Sequence, residues 1–65
     1  MKSEEAIKIG KELRKVRETV GLTQAEVAER ADITATYYAM VERGEKNISY
    51  EKMQRILKVL KIKSL

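Results

Sequence analysis

The chain has no cysteine, no histidine and no proline among its 65 residues, and only three glycines. Without cysteine it has neither disulfides nor a thiolate metal site to stiffen so short a domain. Without histidine it lacks the commonest general base and metal ligand. Any catalytic site would have to be assembled from carboxylates, lysine or tyrosine in a pocket that a few short helices scarcely provide. The expectation is therefore no enzyme, no cofactor, no metal and no small-molecule substrate. The apolar runs are far too short to span a membrane, and the N-terminus carries no signal-peptide apolar region. Together with the missing cysteine, this leads to the expectation of a cytoplasmic protein with no membrane partner. Strand-type alternation and linker-like or low-complexity tracts are also missing, which leaves one small all-α domain over residues 1–65.

Charge is plentiful and unevenly spread. The net charge of +4 divides into +2 over residues 1–22, −2 over 23–44 and +4 over 45–65. A basic domain favours a polyanionic partner. The acidic middle segment means that attraction to phosphate has to come mainly from its flanks.

The middle segment carries the organisation. Thr23 can cap a short helix, and Glu26 three residues later completes a capping box. Ala25, Val27 and Ala28 offer that helix small apolar contacts. Ala31-Asp32-Ile33 interrupts the pattern. Thr34 is a second cap, opening a helix that carries Tyr38 and Val41 inward and stops at Gly44. Two short helices joined by a tight turn, over about residues 23–43, form a helix-turn-helix unit whose second helix can enter the DNA major groove. Upstream, Ser3 caps a first helix with Glu4 and Glu5 near its positive end. Ile9, Leu13, Val16 and Val20 form one apolar face, Gly21 ends the helix, and Leu22 tucks in behind it. Downstream, Ser49 caps a fourth helix whose stripe is Met53, Ile56, Leu57 and Leu60, with the lysines and Arg55 on its other faces. Ile62 is expected to fold back onto the core.

These residues resemble the lambda-repressor/Cro family of DNA-binding domains, the XRE type. The matching stretches are Thr23-Gln24-Ala25-Glu26 with Ala28-Glu29, Ile33-Thr34, and Glu42-Arg43-Gly44. Ile9-Gly10, Leu13, Arg17 and Gly21-Leu22 match the family's first helix and turn; Asn47, Ser49 and Leu57 match its fourth helix. The resemblance runs from about residue 7 to the end. Thr36-Tyr37, Glu42-Arg43 and Asn47-Ile48-Ser49 look most like the controller proteins of restriction-modification systems. The resemblance implies a compact fold of four to five helices and a homodimer on a palindromic operator. It also implies a structural pairing of Arg17 with Glu42. Family members commonly continue into a fifth helix that helps form the dimer. Here Ser64 would begin it and the sequence ends at Leu65, so the expectation is either a four-helix version or a sequence cut short.

The candidate DNA-binding residues are Gln24, Thr34, Ala35, Thr36, Tyr37, Ala39, Met40, Arg43, Lys46, Asn47 and Ser49. Gln24 opens the second helix, where the family's matching glutamine contacts the DNA backbone. Thr34, Ala35, Thr36, Ala39 and Met40 occupy the outer face of the third helix if Tyr38 and Val41 point inward. That face has no Arg, Asn or Gln, so the bidentate contacts to guanine and adenine are missing. Thr36 can bond a base edge or touch a thymine methyl, and Ala35 and Met40 offer apolar contact only. Modest direct readout and a larger share from DNA shape are expected. Controller proteins often carry arginine where Ala35 stands, so the target should differ from theirs. Tyr37, Arg43, Lys46, Asn47 and Ser49 suit the phosphates beside the groove. Tyr38 reads as core, with its hydroxyl at the surface. The leading reading is a sequence-specific transcriptional regulator, with its own promoter and a restriction endonuclease gene as candidate targets. An interaction module that keeps this fold without specific DNA binding stays open, as does a phage-type repressor or antitoxin.

Overall fold

Four hydroxyl side chains start four helices. The computed structural model describes residues 3–62; Ser64, where a fifth helix would begin, lies outside them. The helices are α1 (Glu4–Val20), α2 (Gln24–Arg30), α3 (Ala35–Glu42) and α4 (Tyr50–Leu60), with no strand among the described residues. Ser3, Thr23, Thr34 and Ser49 are the respective N-caps, each accepting from an amide three residues on: Ala6 at 3.0 Å, Glu26 at 3.1 Å, Tyr37 at 3.0 Å and Lys52 at 3.3 Å. Each such cap stabilises a helix end by about 1 kcal/mol. The capping box at Thr23 is complete, because the Thr23 amide donates to Glu26 Oε1 at 2.8 Å.

The turn of the helix-turn-helix falls at Ala31–Ile33. Asp32 takes a left-handed backbone, φ 58°, a conformation that short polar side chains tolerate better than most. The Ile33 amide reaches back to the Ala28 carbonyl at 2.9 Å, so the reversal is tight. Arg55 of α4 secures it from below, donating to the Ala31 carbonyl at 3.4 Å and to Glu51 at 3.2 Å, with Asp32 Oδ2 at 3.7 Å. Arg55 is thus half-buried rather than on an outer face.

The core is built from Leu13 of α1, Val27, Ala28 and Ala31, Tyr38 and Val41 of α3, and Ile56, Leu57 and Leu60 of α4. Ile9, Val16, Leu22, Ile33, Met53 and Ile62 pack around it, so Ile62 does return to the core. α2 packs on α3 and α4, and α1 packs on α3 and α4. The inner side of α3 is therefore covered by α1 and α2.

Three further expectations are corrected. Val20 is 50% exposed, because the chain reverses at Gly21 and Leu22 takes the place on the core that a continuing helix would have filled. Ala25 is exposed, because it stands two positions, about 200° of helix rotation, from the buried Val27. Tyr38 is 0% exposed, and its hydroxyl is buried without a hydrogen-bond partner. The ring lies fully inside the core, too deep for the hydroxyl to reach solvent. A Tyr38→Phe substitution removes an unsatisfied buried polar atom, which is near neutral or stabilising. Thermal unfolding of this variant is expected at or above the parent's Tm, and a Tm several degrees lower would show that the hydroxyl has a partner after all.

Two glycines are required by position. Gly44 follows α3 with φ 77°, and a Cβ there would lie 2.6 Å from Ile7 Cγ1. Gly10 lies where α1 crosses the end of α3, and a Cβ there would press on the Val41 and Glu42 carbonyls.

Candidate nucleic-acid interface

One face of α3 is committed to the core through Tyr38 and Val41, which leaves its first turn outward. Thr34, Ala35 and Thr36 are exposed; Tyr37, Ala39 and Met40 are half-buried. This surface is small and mostly methyl-bearing. Thr34 spends its oxygen as the cap of α3, leaving its hydroxyl hydrogen for a ligand. Ser49 does the same at α4. Lys46 and Asn47 are exposed in the loop after α3, and Arg43 caps its end. Tyr37 is covered on one side by the ammonium of Lys52, 4.6 Å from the ring centroid. That contact fixes the ring on the flank of α3 and brings in a cation from α4 that spacing along the chain does not reveal.

Behind the exposed turn lies a polar hollow lined by Arg14 and Arg17 of α1, Gln24, Glu42 and Arg43. Its floor is the Arg17–Glu42 pair. Arg17 Nε donates to Glu42 Oε2 at 2.6 Å, and its Nη2 donates to Oε1 at 3.2 Å. Its Nη1 donates to the Leu22 carbonyl at 2.9 Å. The side chains are only 12% and 3% exposed. Burial alone would push the Glu42 carboxyl up. The hydrogen bonds from Arg17 and Gln24 outweigh it and hold the group below the ordinary glutamate range. Arg17 is held more firmly charged, through its hydrogen bonds to Glu42 and against its own burial. The Tyr38 phenol, buried and next to this carboxylate, is pushed far above its usual range. It feels Glu42 electrostatically without making a well-formed hydrogen bond to it.

Gln24 is drawn into the same network, its Nε2 donating to Glu42 Oε1 at 2.9 Å. Its side-chain amide is therefore oriented by the fold. Arg43 holds an exposed contact to Glu45 at 3.0 Å. Arg14 is the residue of this hollow to which the sequence reading assigns no role. Its three-residue spacing from Arg17, one turn earlier on the same face of α1, is the signal for it. No group of acidic side chains among the described residues could hold a metal ion, and no described helix is long and apolar enough to cross a membrane.

Residues 13–65 match the family model described as Helix-turn-helix. The control protein C.MunI of a Mycoplasma species is 35% identical over 51 residues, covering 77% of this chain and 69% of that protein. The restriction-modification controller protein C.AhdI from Aeromonas hydrophila superposes with a TM-score of 0.91 at 30% identity, covering 94% of this chain and 92% of that one. C.Esp1396I bound to a 25 base pair operator site superposes with a TM-score of 0.86 at 26% identity, covering 94% and 80%. Four helices with the turn at Ala31–Ile33, the buried Arg17–Glu42 floor and these similarities agree, and the chain belongs to the helix-turn-helix family.

Proposed function

We propose that this chain is a DNA-binding transcriptional regulator acting as a homodimer, with residues 1–65 as its single DNA-binding unit. Each protomer presents the first turn of α3 to a major groove of a two-fold operator. Half-sites then lie about one helical turn, roughly 34–36 Å, apart. Thr36, with Ala35, Ala39 and Met40 around it, reads the bases. Gln24, Thr34, Tyr37, Arg43, Lys46, Asn47 and Ser49 hold the backbone on either side. The relatives named control and controller proteins favour restriction-modification control as the regulatory setting, with its own promoter among the targets. Its activity is binding rather than turnover, and it works in the cytoplasm.

The observation that carries this reading is the exposed start of α3 at Thr34, Ala35 and Thr36, in a fold shared with a protein seen on its operator. The face holds no bidentate base-reading side chain, so each contact it makes is worth less than the roughly 1–3 kcal/mol of an arginine–guanine or glutamine–adenine pair. Sequence preference must then draw on operator shape as well.

Selection from a random duplex pool, followed by titration of the selected site at several salt concentrations, tests the function. An enriched palindrome with the stated spacing is expected. No enrichment, with weak binding that collapses as salt rises, would leave only generic phosphate attraction. Two substitutions separate the roles. Thr36→Ala is expected to weaken the selected site by about fivefold, equivalent to about 1 kcal/mol for one lost hydrogen bond, and random DNA hardly at all. Arg43→Ala is expected to weaken both duplexes alike and to flatten the dependence of log K on log salt by about one unit.

A further inference from the structure

Arg14 is placed as a DNA-backbone ligand. We infer that the hollow between α1, the start of α2 and the end of α3 seats one DNA phosphate, with Arg14 and Arg43 closing on it from opposite rims and Gln24 at its edge. This inference rests on the DNA-binding reading and extends it to α1, from which no backbone contact has so far been drawn.

The floor of the hollow is electrostatically closed. Among the described residues Glu42 is the one carboxylate lining it, and both of its oxygens are occupied by Arg17 and Gln24. Arg17 in turn spends Nε, Nη1 and Nη2 on Glu42 and the Leu22 carbonyl, so it anchors the floor and has little left for a ligand. The guanidiniums of Arg14 and Arg43 are different. Arg14 meets Glu18 through Nε at 3.3 Å, with the two side chains 66% and 56% exposed. Arg43 meets Glu45 through Nη2 at 3.0 Å, with the two side chains 54% and 32% exposed. Exposed pairs of this kind are weak and screened. A phosphate offers a denser charge and can accept the forked donor set of a guanidinium in a bidentate fashion. Its arrival lets each arginine swing from a rim glutamate to the ligand while the floor stays fixed. With Glu18 and Glu45 counted the neighbourhood carries no excess of positive charge, so the rim glutamates weaken the site and set its strength.

The test is salt-dependent binding of the full chain to the selected operator and to a random duplex, for the parent and for Arg14→Gln, Arg14→Lys and Glu18→Gln. One lost phosphate contact lowers the slope of log K against log salt by about 0.9. The parent's advantage over Arg14→Gln therefore shrinks about 3.5-fold between 50 and 200 mM salt, equally on both duplexes. Arg14→Lys should restore most of the slope. Glu18→Gln removes the same ion pair from α1 while leaving the cation, and it should bind as tightly as the parent or tighter. If Arg14 served only the helix, Arg14→Gln and Glu18→Gln would lower Tm together and neither would change the slope; that result overturns the inference. So does a parent-like slope and affinity for Arg14→Gln while Arg43→Ala shows its own loss, and in that case the DNA-binding function stands. A parent that binds no duplex overturns the function and this inference with it.

Discussion

Arg17→Ala is expected to be the most damaging substitution in this chain. It strands the Glu42 carboxylate, whose side chain is 3% exposed, with Gln24 as its remaining hydrogen-bond donor. Removing one partner of a buried ion pair costs about 3–5 kcal/mol, because the other charge stays buried without compensation. A domain of this length has about 3–10 kcal/mol of stability in total. At roughly 4–8 °C per kcal/mol, the melting transition should fall by tens of degrees or vanish. The pair is nonetheless a weak net stabiliser, since its own desolvation offsets most of its attraction. A double change, Arg17→Met with Glu42→Leu, is therefore expected to recover much of the loss. A double variant no better than Arg17→Ala would show that the ion pair itself, and not the stranded charge, holds α1 to α3.

The pH dependence separates the two chains further. In the parent, the Glu42 carboxyl sits below its ordinary range. Its folded value is lower than its unfolded one, so its contribution is complete above the unfolded value of about 4.3. That contribution is lost as pH falls below it through the folded value. In Arg17→Ala the guanidinium that opposed burial is gone, the folded value rises above the unfolded one, and the sign reverses. Whatever stability the variant keeps should increase as pH is lowered from 7 towards 4, while the parent's stays level. Parallel melts of the two proteins over that range check this, and parallel pH curves would show that Glu42 does not depend on Arg17.

The local devices of this fold were legible because their physics is local. A hydroxyl at the cap and an amide three residues on need no tertiary information, so Ser3, Thr23, Thr34 and Ser49 mark the four helix starts correctly. Tyr38 and Val41 point inward because their spacing and apolar bulk leave little choice. Resemblance, and not spacing, brought Arg17 and Glu42 together, since 25 residues separate them. What stayed hidden depends on where helices end and cross. Val20 has the right period and no core to meet. The Tyr38 hydroxyl reads as a polar tip seeking water, but the assembled core encloses it. Arg55 looks like one more solvated cation of α4 until the Ala31 carbonyl is found beside it. The candidate interface divides in the same way. The uncommitted turn of α3 could be read from the chain, whereas the tethering of Gln24 by Glu42 and the placement of Lys52 over Tyr37 required the assembled molecule.

Gly10→Ala is expected to destabilise the protein, against what helix propensity alone dictates. Alanine in a helix interior is favoured over glycine by about 1 kcal/mol, so an isolated glycine in the middle of α1 looks like a defect. The crossing with α3 reverses the sign. The new methyl would lie 2.6 Å from the Val41 carbonyl oxygen and closer still to that of Glu42. Both obstacles are backbone, which cannot rotate aside as a side chain can, so α1 and α3 have to separate. Forcing a methyl into a packed contact costs about 1–3 kcal/mol and more where the backbone must move. A net loss of roughly 4–8 °C in Tm for each kcal/mol should follow, whereas Lys11→Ala, on the exposed side of the same helix, should be near neutral. The functional effect follows from position. Glu42 forms the floor under Gln24, and Arg43 caps the same end of α3. A displaced α3 end shifts the backbone-holding residues relative to Arg14 and Arg17. Operator affinity should therefore fall in Gly10→Ala even at temperatures where the variant is fully folded. A variant that melts above the parent would mean that α1 and α3 are not in close contact at Gly10, and the shared floor on which the interface is built would lose its support.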